Sequence, residues 1–460
     1  MDSTLSALTR DSHIVVILLV LGVLTVPAPL VAQAPPPAPL TVDAAVRIAL
    51  DRNPRARAAA EGVRVAEEAV GEARAPYYPT LSVTAGYTRW ETHAFLPGGL
   101  LGSDIPSTIG PTNDWTAGLS GRYTLYDSGK RAADLRVAMA HRAAADHEAA
   151  RVRQDLSLEV RRAFYALVAA RDGEEVAATN LARAEEHFRL ASERRAAGAV
   201  SGGDVIQAQV QVAEARLARV RIESLVRQAR GALNTAMGLP VDTLVEAAPQ
   251  GDSLMPADAI DVTRALAQAV AGRPTIRAAI ERATAATEAV AGARSAFGPR
   301  IGAEWTAGVR DNRFFPSDRD WRLGVSVSWS LFDGFAKQHR LAGARAARAR
   351  DEAEVERTKQ TVQAEVWSAH AKLRETHEAI GAAEVLIRDA DENVRIARER
   401  YRVGAGTVNE LLDAQAALAR ADAVRAQAEW DYRSARATYE WTIGRALPAG
   451  APAGAAGGGL

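Results

Sequence analysis

Two sets of landmarks recur at constant spacing along this sequence and limit it to an internally duplicated fold. Asn53-Pro54 returns as Arg273-Pro274 and Pro79 as Pro299, each 220 positions on. Tyr126-Asp127 returns as Phe332-Asp333, Gly198 as Gly404, Gln209 as Gln415 and Gly238 as Gly444, all 206 positions on. Two constant offsets mean one unit of about 200 residues present twice, and their difference places a 14-residue shortening between the proline and the aromatic-Asp pair of the second copy. A length of 460 residues, which by itself suggests about three domains, is then two copies of one unit.

The landmarks divide the chain. Residues 41–238 form the first repeat, 239–256 a linker marked by its prolines and Gly251, and 257–446 the second repeat; 447–460 is a Gly/Ala/Pro tail. Ahead of them, Arg10 precedes a 13-residue apolar run, Ile14 to Val26, followed by Pro27, Pro29 and the small-residue site Ala32-Gln33-Ala34. That order is a secretory signal peptide over 1–34, and the run is shorter than the roughly 20 residues a spanning helix needs. Residues 35–40, opening Pro35-Pro36-Pro37-Ala38-Pro39, read as an extended arm. No later segment has the length and apolarity of a spanning helix, so a membrane could be entered only as strands.

Each repeat has the same order of elements: a short helix with Thr41 or Asp261 at its N-cap, and a second helix opened by Pro54 or Pro274, where the missing N–H costs nothing. A strand pair follows, then a very long helix, a glycine turn and a returning helix that stops at Gly238 or Gly444. The long helices, about 130–197 and 335–403, would run about 100 Å. Each returning helix covers little more than half of that, and the helix below the strands supplies the remainder.

The strand segments, about 81–90, 115–125, 300–309 and 321–331, alternate strictly. Leu81, Val83, Ala85 and Tyr87 oppose Ser82, Thr84, Gly86 and Thr88, while Trp321, Leu323, Val325, Val327 and Trp329 oppose Arg322, Gly324, Ser326 and Ser328. About ten residues with one apolar face is the length of a tilted transmembrane strand. A water-soluble sandwich burying the same faces would alternate in the same way. Aromatic placement favours the membrane: 16 of the 25 aromatics fall within 77–126 and 297–335, and Trp90, Trp115, Trp321 and Trp329 are expected near strand ends as interfacial residues. Four strands leave two open edges, which lipid does not tolerate, so the barrel has to be shared between chains. Three chains give 12 strands and a water-filled bore, whereas two give 8, a bore that side chains can fill.

Composition removes most other functions. With no cysteine there is no disulfide, thiolate metal site, thiol nucleophile or acyl-anchor residue, and 56 basic against 56 acidic residues leave no footprint for nucleic acid. No phosphate-loop, zinc-protease or serine-hydrolase motif occurs, and the pairs His370/His377 and His141/His147 have no third ligand. Neither an enzyme, a cofactor nor a metal site is expected.

The turns farthest from the strands run from Arg194 to Asp204 and from Arg400 to Glu410. Gly198 and Gly404 suit the left-handed position after a helix, and Ser201 and Thr407 suit N-caps with Asp204 and Glu410 three residues on. Asp413, one turn beyond Glu410, adds a second carboxylate on that face. Converging copies would make these acidic rings at a pore mouth, although helix faces also carry acids simply for solvation.

The chain resembles the TolC-like outer-membrane efflux factors. The resemblance rests on Leu40-Thr41-Val42-Asp43-Ala44-Ala45-Val46 through Asn53-Pro54, on Pro79, on Tyr126-Asp127-Ser128-Gly129 and Leu331-Phe332-Asp333-Gly334, and on both glycine turns. It implies a homotrimer in the outer membrane of a Gram-negative bacterium. Four strands per chain would complete a 12-stranded barrel, continued by a long α-helical tunnel through the periplasm, in an otherwise mainly α fold. It also implies docking onto a periplasmic adaptor and an inner-membrane pump of RND, ABC or MFS type, for multidrug efflux or type I secretion. By the same resemblance Gly198, Ala199, Val200, Gly404, Ala405 and Gly406 are adaptor-contacting tip residues, Tyr401 and Asp204 belong to a closing network, and Glu410 and Asp413 form the acidic entrance pair. Gly406 stands where some members carry an arginine, so their closing bond cannot form in the same way. The alternative outside this family is a secreted periplasmic coiled-coil scaffold or adaptor without a channel.

Overall fold

The computed structural model describes residues 39–93, 108–248 and 261–445. The signal peptide (1–34), most of the proline-rich arm, the linker from 249 onward and the tail (447–460) lie outside the described residues. The elements are α1 (Val42–Arg52), α2 (Pro54–Arg74), a 3-10 turn (Ala75–Tyr77), β1 (Thr80–His93), β2 (Thr108–Tyr126), α3 (Lys130–Ala196) and α4 (Gly202–Met237). The second half repeats them as α5 (Val262–Gly272), α6 (Pro274–Ser295), β3 (Arg300–Asp311), β4 (Asp318–Ser328), α7 (Ala336–Arg402) and α8 (Val408–Thr442). No described helix is long and apolar enough to cross a membrane.

The two halves match in detail. α3 and α7 are 67 residues each, and both are entered through a left-handed pair, Ser128 and Gly129 (φ 58° and 89°) or Gly334 and Phe335 (φ 67° and 68°). The aromatic-Asp landmark now has a cause. The residue at each helix start offers no capping side chain, so Asp127 accepts from the Arg131 backbone N–H at 2.9 Å and Asp333 from that of Lys337 at 3.2 Å.

α2 and then α4 pack along α3, while α6 and then α8 fill the space between α3 and α7. Two short helices laid end to end therefore match one long helix of about 100 Å. The repeat joins its abutting ends with one residue in each copy. Asn53, which caps α2 by accepting from Arg55 N–H at 2.8 Å, donates through Nδ2 to the Ala236 carbonyl at the end of α4, also at 2.8 Å. Its counterpart Arg273 donates to the Trp441 carbonyl (2.9 Å) and to Glu365 (2.8 Å), and lies 4.0 Å from the Trp441 ring centroid.

Burial is organised by pairs. One apolar cluster joins α1, α3 and α4 through Val46, Leu156, Phe164, Leu167, Leu233 and Met237. Another joins α5, the start of α6, α7 and α8 through Ile276, Val362, Val366, Leu373 and Tyr432, and a third joins α7 to α8 towards the far turn through Val394, Leu411 and Leu418. The α3–α8 seam also carries polar links: Trp441 Nε1 to Asp155 at 3.0 Å, Trp430 Nε1 to Asp172 at 2.8 Å, and Arg183 to Asp422 at 3.5 Å.

The strands form one antiparallel sheet of order β1-β2-β3-β4, so β1 and β4 are its two edges. Its register aligns the apolar residues of all four strands on one face, in rows such as Val83–Leu119–Ala307–Trp321. The opposite face carries rows such as Thr84–Gly118–Gly308–Asp320. The apolar face is open: Val83 is 81% exposed and Leu323 71%.

The strand limits differ from the sequence reading: β1 covers 80–93 rather than 81–90 and β3 covers 300–311 rather than 300–309. β2 starts seven residues earlier than 115, because β1 runs on to His93 and offers it a partner. β4 covers 318–328 rather than 321–331, because β3 begins at Arg300 and no strand among the described residues pairs with Trp329 to Leu331.

Candidate channel entrance and membrane band

At each far turn the helix closes with a Schellman arrangement. Gly198 N–H reaches Arg195 O at 2.9 Å and Ala199 N–H reaches Arg194 O at 2.9 Å; Gly404 to Tyr401 (3.2 Å) and Ala405 to Arg400 (2.9 Å) repeat it. Gly198 and Gly404 hold φ of 74° and 76°, a region closed to most side chains. Val200 is half-buried, while Gly198, Ala199, Gly404 and Ala405 are exposed.

The turns then diverge in how their carboxylates are used. Ser201 and Asp204 form a complete capping box, with Ser201 N–H to Asp204 at 3.0 Å and Asp204 N–H to Ser201 Oγ at 3.3 Å. Thr407 caps Glu410 N–H at 3.2 Å, but the Glu410 carboxylate turns to Arg400, 3.4 Å away. Arg400 also donates to the Ala405 carbonyl at 3.3 Å. Gly406 makes room for this: a Cβ there would lie 3.1 Å from Arg400 Cβ and 3.2 Å from Glu410 Oε2. Arg400 thus braces the second turn. Asp413 is exposed one helical turn on, its side chain in no ion pair among the described residues.

Tyr401 and Asp204 are not joined to each other within the chain. Tyr401 instead receives the Arg194 guanidinium over its ring, 4.4 Å from the centroid, while Asp204 stays in its own cap. Arg194 and Arg400 are therefore the organising residues that sequence reasoning missed. The available signal was the basic last turn of each long helix, Arg194 and Arg195 or Arg400 and Arg402, which complements the helix C-terminus.

Above the turns, His187 of α3 meets the Gln415 side chain of α8. Burial and then the nearby Arg398 of α7 hold the imidazole below its usual pKa, with Glu186 opposing. Higher on the same seam, burial raises the Asp172 carboxyl, and the Trp430 hydrogen bond partly offsets it.

In the sheet, Trp115 and Trp321 are on the apolar face as expected, Trp321 being 73% exposed. Trp115 is well inside β2 but level with the end of β3 at Asp311, and packs against the tilted ring of Tyr87 (4.4 Å between centroids) and edge-to-face with Phe314 (4.7 Å). Trp329 lies just past β4 and donates to Phe297 O at 3.0 Å. Trp90 departs from expectation. It pairs with Thr112 and shares parity with Thr88, which puts it on the polar face.

A four-stranded sheet with a bare apolar face, set at one end of helices about 100 Å long, defines an outer-membrane channel subunit with a helical extension. The chain belongs to the outer membrane efflux protein family, whose model matches residues 45–239 and 265–444. It is 31% identical over 389 residues to Protein CyaE of Bordetella pertussis, covering 83% of this chain and 80% of that protein. Over 371 residues it is 28% identical to the pyoverdine export outer membrane protein OpmQ of Pseudomonas aeruginosa, covering 78% and 76%. It is also similar to the solved structure of the outer membrane protein VceC from Vibrio cholerae, at a TM-score of 0.74 and 21% identity over 88% of this chain and 96% of that one. The protein is an outer-membrane efflux channel protein, and the coiled-coil scaffold alternative is set aside.

Proposed function

We propose that three copies of this chain close a 12-stranded barrel and a helical tunnel, forming a passive exit duct for a tripartite efflux or type I secretion system. The open edges β1 and β4 carry this reading, because lipid leaves no unpaired strand edge. The helices support it. α4 exposes Ile206, Val210, Leu217 and Val220 at heptad-like spacing, and α7 exposes Val385 and Ile396, with Val403 at its C-cap, stripes suited to each other across a subunit boundary.

The entrance is the pair of far turns. Glu410 and Asp413 of three chains form an acidic ring that favours cations, and Tyr401, Asp204 and their partners hold the tip closed. The far turns at Gly198, Ala199, Val200, Gly404, Ala405 and Gly406 receive a periplasmic adaptor, which links the duct to an inner-membrane pump. Opening is assigned to the α3–α8 seam, because polar links exchange for water at less cost than the apolar α7–α8 contacts. No reaction is assigned to the duct: transport energy comes from the pump.

Native mass spectrometry and planar-bilayer recording test the reading together. A trimer with channel activity is the expected result. A monomer that fractionates with soluble periplasm and forms no channels would overturn it.

A further inference from the structure

Two of the four strands carry an arginine at the outer end of the apolar face. On the lipid-facing parity, Pro79 to Arg89, Asn113 to Tyr123, Ile301 to Asp311 and Arg319 to Trp329 each span ten positions. At ~3.4 Å per residue and a tilt near 40°, ten residues rise about 26 Å, close to the ~25 Å apolar band of outer-membrane barrels. The helix-side ends of these spans are Pro79, Tyr123, Ile301 and Trp329, with no cation among them. The outer ends are Arg89, Asn113, Asp311 and Arg319.

Arginine on this parity therefore occurs only at the outer border, directly above aromatic residues. Arg89 follows Tyr87 by two positions on one face, and Arg319 precedes Trp321 by two. Arg313 lies in the β3–β4 turn beside Phe314, whose ring packs on Trp115 and so draws the turn over the apolar side. All three arginines are exposed, and none has an ion pair among the described residues. The acids nearby include Asp318 and Asp320, which flank Arg319 on the opposite, polar parity. Asp311 accepts from Ser317 Oγ (3.1 Å) and the Arg313 N–H (3.3 Å), Asp114 is held by Arg310 on the polar face, and Glu91 lies in the bulge beyond Arg89.

Tyr and Trp settle at the headgroup boundary, and a guanidinium one row farther out reaches the phosphates, which its planar fork chelates better than an ammonium can. We infer that Arg89, Arg313 and Arg319 form a site for phosphate-bearing lipid headgroups of the outer leaflet. In the closed barrel β4 of one chain adjoins β1 of the next, so Arg319 and Arg89 share each seam and a bridging phosphate relieves their repulsion. This step rests on the barrel reading above.

The test uses full-length protein in phosphatidylcholine vesicles with and without lipid A. Channel activity in phosphatidylcholine alone is recorded first, because its absence faults the barrel reading rather than the site. Wild-type protein is then expected to retain lipid A through detergent washing, read by native mass spectrometry. Arg89→Gln/Arg313→Gln/Arg319→Gln is expected to bind it at least about tenfold more weakly, the loss of a single charge-assisted phosphate contact setting the lower bound. Arg122→Gln/Arg322→Gln, on the polar face, is expected to bind like wild type. Equal retention by the triple variant, or an equal loss in the polar-face control, would overturn the site. Should the triple variant not insert, wild-type protein decides: dephosphorylated lipid A binding as well as lipid A overturns the proposal, and weaker binding supports it.

Discussion

The Arg194 guanidinium at the end of α3 lies over the ring of Tyr401 at the end of α7, 4.4 Å from its centroid. This contact joins the two halves of the duplicated chain at the tip. A cation–π pair of this kind contributes about 0.5–1 kcal/mol at an exposed site. Arg194→Ala and Tyr401→Ala are each expected to raise the fraction of time the reconstituted channel is open, by several-fold at most. The double variant should do no more than either single, since both remove one interaction. Additive effects in single-channel records would show that the two residues act separately.

The proposed acidic entrance makes a more selective prediction. Glu410 is engaged by Arg400 at 3.4 Å, whereas Asp413 has no such partner among the described residues. Asp413→Asn should therefore weaken block by trivalent cations added from the periplasmic side without disturbing the turn. Glu410→Gln should both weaken block and release Arg400 from its brace, adding a change in closed-state leak. Block constants and leak currents, measured on the same channels, separate the two. An Asp413→Asn channel blocked as tightly as wild type would remove the ring.

Much of this architecture was readable in advance because its signals are local. Strand alternation, the prolines that open α2 and α6, and the left-handed glycines each act within a few residues, so 67-residue helices starting 206 positions apart could be drawn from the sequence. Trp90 was misplaced because nearness to a strand end was weighed above parity, although Thr88 already marked its face. The Arg194–Tyr401 contact was not readable. Its partners are 207 positions apart, and they meet only because α8 packs between α3 and α7 and brings both helix ends to the same level. Arg400 was hidden differently: Gly406 showed that a familiar arginine was absent, but not that one six residues earlier would brace the turn.

The α3–α8 seam should loosen in acid through His187. Its pKa is lowered in the folded state, so at pH just below 6.5 the unfolded chain binds the proton more readily than the folded one. Stability from this group is complete above its usual pKa and is lost as pH falls through 6.5 towards the folded value. Charging the ring also sets it against Arg398, with Glu186 only partly compensating. Protection factors at the far ends of α3 and α8, which are exchange rates corrected for the intrinsic pH dependence of amide exchange, are expected to fall between pH 7.5 and 5.5, and His187→Gln should flatten that dependence. An unchanged pH profile in His187→Gln would assign the effect to another group.

Asn53 should be the more sensitive of the two junction residues to loss of its side chain. It is 5% exposed and serves two helices at once, accepting from Arg55 N–H and donating to the Ala236 carbonyl. Truncation removes an N-cap, costing roughly 1 kcal/mol, and strands a buried carbonyl at a further cost of about 1 kcal/mol. Its counterpart Arg273 has Glu365, the Trp441 carbonyl and the Trp441 ring as partners but caps no helix with its side chain, so Arg273→Met keeps the stacking volume and strands one carbonyl without removing an N-cap. Arg273 is held below its usual pKa by burial, so part of what its ion pair gains is already lost to desolvation. Asn53→Ala is therefore expected to lower the midpoint of helical unfolding, followed by circular dichroism, by more than Arg273→Met does. The reverse order would mean that the second junction, not the first, holds the stacked helices in line.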